Sequence, residues 1–288
     1  MEQDLKKDKK KNRYDGVTIQ YANELARNYS KFSLEEQKAL HLIFSHINPF
    51  EKNPTTFEIN KSEFFEKLNL VGDSKYERYK RTIEKIIQKS FVEIKDKMTG
   101  NKINGVAITA SIWNDKKTFF EVDINPRFMP YLEQFIGYYT KIDLDSLVSF
   151  KSKHALTLYK LFCSWNDKKQ TQIGTKDLKD LLGISKEAYV QNGKFNRSEF
   201  ENKTIKKAIS EINQSGNLTV NWKKVKKANK VLYYHFDWNF RNKNKDIIDD
   251  HKQNIYQISN TEINNKDKIN IKMSEGEIKK ILEKLDNY

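Results

Sequence analysis

NRSEFENKTIKKAISEINQSGNLTVNWKKVKKANKVLYYHFDW, residues 196–238, joins a helical pattern, a Ser-Gly break and two strand patterns around a turn crowded with lysines. Successive helical residues rotate by about 100°, so Phe200, Thr204, Ile205, Ala208, Ile209 and Ile212 share one side of a helix. Asn196, Glu199, Lys203, Lys206 and Ser210 project from the other side, with Asn196 and Arg197 at the helix entrance. Leu218, Val220 and Trp222 then alternate, as do Leu232, Tyr234, Phe236 and Trp238, which is the period of half-buried strands. Between the strands sit Lys223, Lys224, Lys226, Lys227 and Lys230. Residues 197–230 hold nine basic side chains, Lys207 among them, against three acidic ones. That local excess suits a phosphate backbone. A solvated lysine-rich surface is the plainer alternative.

Working outward, the preceding residues supply two more helices. SKHALTLYKLFCSW carries Ala155, Leu158, Phe162 and Trp165 at helical spacing, and TKDLKDLLGI opens on Thr175 and closes at Gly183. The same order stands upstream. Ser33 with Glu36 is a capping box ahead of Leu40, Ile43, Phe44 and Ile47, and INPFEKNP ends that helix. Asn60 with Glu63 starts a second helix, which Gly72 breaks. Tyr76, Tyr79, Ile83, Ile86 and Ile87 stripe a third, leaving Lys75, Arg78 and Arg81 to solvent or a ligand. Strands are predicted over 91–95, 105–113 and 118–124. INKSEFFEKLNL (59–70) lies over IGTKDLKDLLGI (173–184) without a gap, as does TIEKII (82–87) over TIKKAI (204–209).

Three helices followed by a hairpin is the winged form of helix-turn-helix, in which the third helix enters the major groove and the hairpin touches backbone. The lysines of the quoted stretch fall on both of those parts, which favours a DNA-binding role over a merely solvated face. The predicted fold class is α+β, with two tandem winged-helix domains of related topology over 17–140 and 141–240. Residues 1–16 read as a disordered basic arm. Residues 241–288 read as a polar linker and a short C-terminal helix, with a capping box at Ser274 and Glu277.

Composition narrows the function. Lys and Arg total 53 against 39 Asp and Glu, a formal charge of +14 over 288 residues, which attracts polyanions. Nucleic acid is the first candidate. An anionic membrane is the weaker one, since no 18-residue apolar run and no signal-peptide pattern occurs, and a cytoplasmic protein is expected. The single cysteine, Cys163, sits in an apolar helix and reads as core packing. The five histidines are scattered, with no H-E-x-x-H pair and no close triplet of the kind a metal-dependent strand-nicking tyrosine enzyme needs. A phosphate-cradling G-x-x-x-x-G-K-[ST] loop is absent as well. Asp143 and Asp145 are the remaining acidic pair, and a metal there is disfavoured. No catalytic residue, metal or cofactor is assigned.

The stretch SFKSKHALTLYKLF, leading to FENKTIKKAISEINQSGNLTV and YYHFDW, resembles the replication initiators of iteron-containing, theta-replicating plasmids. NELARNYSKFSLEEQKALHLIFSHI is similar to that family's opening, and the resemblance spans roughly residues 17–240. It implies a bacterial, plasmid-encoded protein that binds direct repeats in double-stranded DNA at an origin. Monomers of such initiators help to open an adjacent AT-rich element and recruit host replication proteins (an initiator, a helicase), and dimers, dissociated by chaperones, repress their own gene. The resemblance assigns base reading to Asn196, Arg197, Lys203 and Lys206, and places backbone contacts and the dimer surface in the first unit. Unpaired strand edges near Val106 and Ile108 are the candidate interface. A winged-helix transcriptional regulator with no part in replication is the alternative.

Overall fold

Caps and apolar stripes place the elements of the computed structural model, which describes residues 12–22, 32–48, 52–69, 75–89, 91–95, 102–132, 139–165, 167–227 and 230–241. Strand β1 (Thr18–Ala22) leads to helix α1 (Leu34–Phe44), β2 (Thr56–Asn60), α2 (Lys61–Lys67) and α3 (Lys75–Lys89). Strands β3 (Phe91–Lys95), β4 (Lys102–Val106), β5 (Ile108–Ile112) and β6 (Phe119–Ile124) follow. Next come β7 (Tyr139–Asp143), α4 (Leu144–Ser149), α5 (Lys153–Cys163), β8 (Gln170–Gly174) and α6 (Thr175–Leu181). The short strands β9 (Val190–Gln191) and β10 (Lys194–Phe195) precede a long helix, α7, made of Arg197–Phe200, a π-helical Glu201–Lys206 and Lys207–Ser215. Strands β11 (Leu218–Lys227) and β12 (Lys230–Phe240) complete the described chain.

The repeat read from sequence is present in three dimensions. Helices α1 and α5 are each 11 residues long, start at a serine cap (Ser33, Ser152) and stop at another (Ser45, Ser164). Ser33 and Glu36 form the reciprocal capping box. Helices α2 and α6 are each seven residues long, capped at Asn60 and Gly174, which the overlay puts at one position. Gly174 rather than Thr175 is therefore the cap of α6, and it makes no side-chain bond there. In α3 and α7, Thr82 with Thr204 and Ile83 with Ile205 are buried in matching places. The antiparallel sheets repeat the order too, β2-β6-β5 and β8-β12-β11.

Each unit adds a hairpin. In the first, β3 pairs with β4, so the predicted strand over 105–113 is in fact two strands, broken between Val106 and Ile108. In the second, β9 and β10 turn through Asn192 (φ 51°) and Gly193 (φ 72°), the Asn-Gly pair that a tight hairpin turn with two positive φ angles requires. Lys179 holds that loop, donating to the Lys186 and Ala188 carbonyls at 2.9 and 3.1 Å. Gly216 ends α7 where a Cβ would lie 2.8 Å from the Ile212 carbonyl and 3.3 Å from the Phe150 ring, so a side chain has no room.

Residues 12–16, expected to belong to a disordered arm, are packed. Tyr14 is fully buried beside His46, and the Gly16 N–H donates to Asp145. An apolar ring with a histidine to bond is an anchor that the surrounding charges hid. Residues 1–11 and 242–288, which include the Ser274 capping box, lie outside the described residues. Strand β1 pairs with β7, Lys38 donates to the Val148 carbonyl at 2.5 Å, and Lys160 donates to Gln37 at 2.8 Å, tying the first unit to the second.

Candidate nucleic-acid interface

Helix α7 divides as its sequence divides it. Phe200, Thr204, Ile205, Ala208, Ile209 and Ile212 are all at most 4% exposed. Ser198, Asn202, Lys203, Lys206, Lys207 and Ser210 are exposed. Lys203 forms an ion pair with Glu199 one turn earlier, at 2.5 Å, in solvent. A pair of that kind contributes only about 0.3–0.5 kcal/mol, so it gives way readily to a stronger anion.

The helix entrance differs from its outer face. The Asn196 carboxamide caps the helix, accepting from the Glu199 N–H at 3.0 Å and donating to Gln191 Oε1 at 3.2 Å. Arg197 Nη1 donates to Thr175 Oγ1 at 3.1 Å and to Tyr234 OH at 3.3 Å, and the guanidinium lies over the Phe195 ring. Asn196 and Arg197, two of the four residues expected at base edges, thus hold the protein's own helix start in place. Lys206 and Lys207 stand clear of it, and Lys203 reaches back only to Glu199.

The wing extends past its sheet. Strand β8 pairs with β12 only over Tyr233–Asp237, so Lys230–Leu232, next to the hairpin turn, have no third strand beside them. Lys223, Lys224, Lys226, Lys227 and Lys230 are all exposed on the hairpin. Strand alternation puts Lys224 and Lys226 on the face of Val220 and Trp222, with Lys223 and Lys227 opposite. Lys224 Nζ donates to Glu201 Oε2 at 2.6 Å, and Tyr234 OH donates to Glu201 Oε1 at 3.1 Å. Glu201 is 7% exposed, and burial raises the Tyr234 pKa. In the sequence Glu201 is one of three acidic residues among nine basic ones. Its position on the stripe with Ile205, Ala208 and Ile212 was the signal, because a carboxylate on a buried face must find donors.

In the first unit Arg78 pairs with Glu35 of α1, Arg81 is exposed, and Lys75 opens α3 with its side chain outside the described residues. Lys61, only 8% exposed, reaches Tyr76 OH and the Asn114 and Lys117 carbonyls at 2.7 to 2.9 Å. It fixes the β5–β6 turn against α3. Ile108 is fully buried in the chain's own core and cannot serve as a surface contact, which corrects half of the expected dimer interface. Val106 is half-buried. Asp143 caps α4 through the Ser146 N–H, and Asp145 pairs with Lys67. Cys163 is buried, and burial pushes its thiol pKa up.

Residues 18–163 match the family model described as initiator replication protein WH1, and residues 174–238 match its WH2 partner. The chain belongs to the initiator replication protein family. This replication initiator accordingly has two winged-helix domains and a DNA-binding role. The first match runs through α5, which the helix-helix-helix-hairpin pattern places in the second unit. The initiator is similar in fold to the Pi initiator protein, solved in complex with iteron DNA, with a TM-score of 0.65 and 16% identity over 79% of this chain and 98% of that one. Domains 2 and 3 of RctB align with a TM-score of 0.45 and 10% identity over 72% of this chain and 82% of theirs. No curated protein matches the initiator by sequence. Among the described residues no helix is long and apolar enough to cross a membrane.

Proposed function

We propose that this initiator binds direct repeats in duplex DNA at a plasmid origin, promotes opening of the adjacent DNA and recruits host replication proteins, acting in the bacterial cytoplasm. The observation that carries the reading is the juxtaposition of two lysine sets in the second unit, one on the exposed face of α7 and one on the wing. Lys203 and Lys206 are the base-reading candidates and Lys207 a backbone contact. Lys223, Lys226 and Lys227 hold phosphates, and Lys75, Arg78 and Arg81 add backbone contacts from the first unit. Asn196 and Arg197 set the approach of the helix. Dimers repress the initiator's own gene through a surface on the β3–β4 and β5–β6 hairpins that includes Val106.

The reading requires binding without cleavage. Footprinting a supercoiled plasmid that carries the gene and its flanking direct repeats, with Mg²⁺ present, should show protection of about two duplex turns per repeat, at roughly 10 base pairs per turn. The plasmid should stay unnicked. A tyrosine covalently attached to a nicked circle contradicts the reading. Protection of scattered chromosomal operators and not of origin repeats favours a transcriptional regulator.

A further inference from the structure

We infer that Glu201 is a positioning residue that fixes the angle between the wing and helix α7, and that Lys224 is its clamp and not a phosphate contact. The inference rests on the DNA-binding surface proposed above. The wing beyond Tyr233 is a two-stranded ribbon, since β8 pairs no further along β12. A ribbon of two strands is only marginally stable by itself. Lys224 on β11 bonds to Glu201 at 2.6 Å, and Tyr234, the β12 residue opposite Ile173 of β8, bonds to the other carboxylate oxygen at 3.1 Å. Tyr234 in turn accepts from Arg197 at 3.3 Å. Both oxygens of one nearly buried carboxylate therefore hold the wing, on β11 and on β12, to the first turns of α7.

The chemistry separates Lys224 from its neighbours. Lys223, Lys226 and Lys227 are exposed ammonium groups that release counterions when they meet phosphate. The Lys224 ammonium is already neutralised by a carboxylate that is 92% or more out of solvent, and drawing it off to a phosphate would leave that charge buried with one donor fewer. A fixed wing angle matters only when groove and backbone must be met at once. The clamp should therefore favour the true repeat over random duplex, where phosphates alone are held and many wing angles serve.

The test measures binding of the full chain to the native repeat and to a scrambled duplex over a series of salt concentrations. The proteins are wild type, Lys224→Met, Glu201→Gln, the double variant and Lys226→Ala. For Lys224→Met the expected result is about tenfold weaker binding to the native repeat, little change on the scrambled duplex, and an unchanged salt slope. The double variant should be no weaker than either single variant, as coupled residues require. Glu201→Gln, which releases Lys224, should keep the slope or steepen it by up to about 0.9. Lys226→Ala should weaken both duplexes alike and make the slope shallower by about 0.9. If Lys224→Met also makes the slope shallower by that amount, with and without Glu201, then Lys224 is a phosphate contact and the clamp is wrong. If Lys226→Ala and Lys224→Met both leave every curve unchanged, the wing does not meet DNA, and the proposed surface falls together with the clamp. Lys224 is 41% exposed, so its variant should fold even where Glu201→Gln does not, and it decides the question alone.

Discussion

Arg197 Nη1 lies 3.1 Å from Thr175 Oγ1, tying the first residue of the third helix to the first residue of the second. The first unit makes the same junction with other chemistry, since Lys61 at the start of α2 donates to Tyr76 OH at the start of α3, at 2.9 Å. In both units the helix-turn-helix angle is fixed at the entrance of the third helix. Arg197→Ala should accordingly lower stability by about 1–2 kcal/mol, through the two lost bonds and the lost stacking, and weaken DNA binding with it. Lys206→Ala should weaken DNA binding and leave the melting temperature unchanged. Thermal melts beside binding curves separate the two. Arg197→Ala with wild-type stability and altered base preference would make Arg197 a reader.

Lys61 is a test of the first unit alone. Its ammonium satisfies two turn carbonyls, of Asn114 and Lys117, at 2.7 and 2.8 Å. Lys61→Met keeps the length and removes the donors, at a cost of about 2–3 kcal/mol for carbonyls left unpaired. Urea denaturation should show the loss, while the ratio of native to scrambled binding, set in the second unit, stays as it was.

Acid should unfold the protein through its buried histidines. His41, bonded to the Gln37 carbonyl, is held from 6.5 down to about 3 by burial first and by the Lys160 charge second. His46, between Arg13 and Tyr14, is held down to about 3 by burial and then by Arg13. Below the ordinary histidine pKa the unfolded chain takes up protons that the fold refuses. The histidines' contribution is therefore fully present above pH 6.5 and is lost as the pH drops toward 3, at about 1.4 kcal/mol per pH unit for each histidine. His46→Gln should make that limb shallower by one proton in denaturation midpoints measured across the window. An unchanged limb would mean that His46 takes its proton in the fold.

Lys160 acts at the other end of the scale. Burial, with Lys153 adding to it, lowers its pKa from 10.5 to about 7. The fold releases that proton before the unfolded chain does, so stability should rise as the pH climbs from 7 toward 10.5. Lys160→Met should remove the rise, read from denaturation midpoints over the same range.

Val106 and Ile108 should separate in a dimer experiment. Ile108→Ala opens a cavity in the core and should cost about 2–4 kcal/mol whatever the oligomeric state. Val106→Asp leaves the core intact and should shift sedimentation toward monomer. A dimer untouched by Val106→Asp places the interface elsewhere.

Much of this architecture was legible because it is written twice. Serine caps at Ser33 and Ser152, and the apolar stripes of α3 and α7, are local signals set by helical period and cap chemistry. Strands β2 and β8 were not legible. Each is five residues beside a helix cap, and each is a strand because β6 or β12 lies alongside it. Partnership across the chain leaves no periodicity behind. The site divides in the same way. The lysine face of α7 follows from rotation about a helix axis. The engagement of Arg197, Asn196 and Lys224 by the protein depends on Thr175, Gln191 and Glu201, which only the fold brings near.

The central claim is that α7 reads sequence while the wing holds backbone. Its most direct test compares Lys206→Ala with Lys226→Ala on the native repeat and on a scrambled duplex across salt. Lys206→Ala should cost about 1–3 kcal/mol on the native repeat alone and relax the preference at one repeat position. Lys226→Ala should weaken both duplexes equally and reduce the log-log salt slope by about 0.9. Uniform weakening by Lys206→Ala, with lost sequence preference in Lys226→Ala, would contradict the assignment of helix and wing.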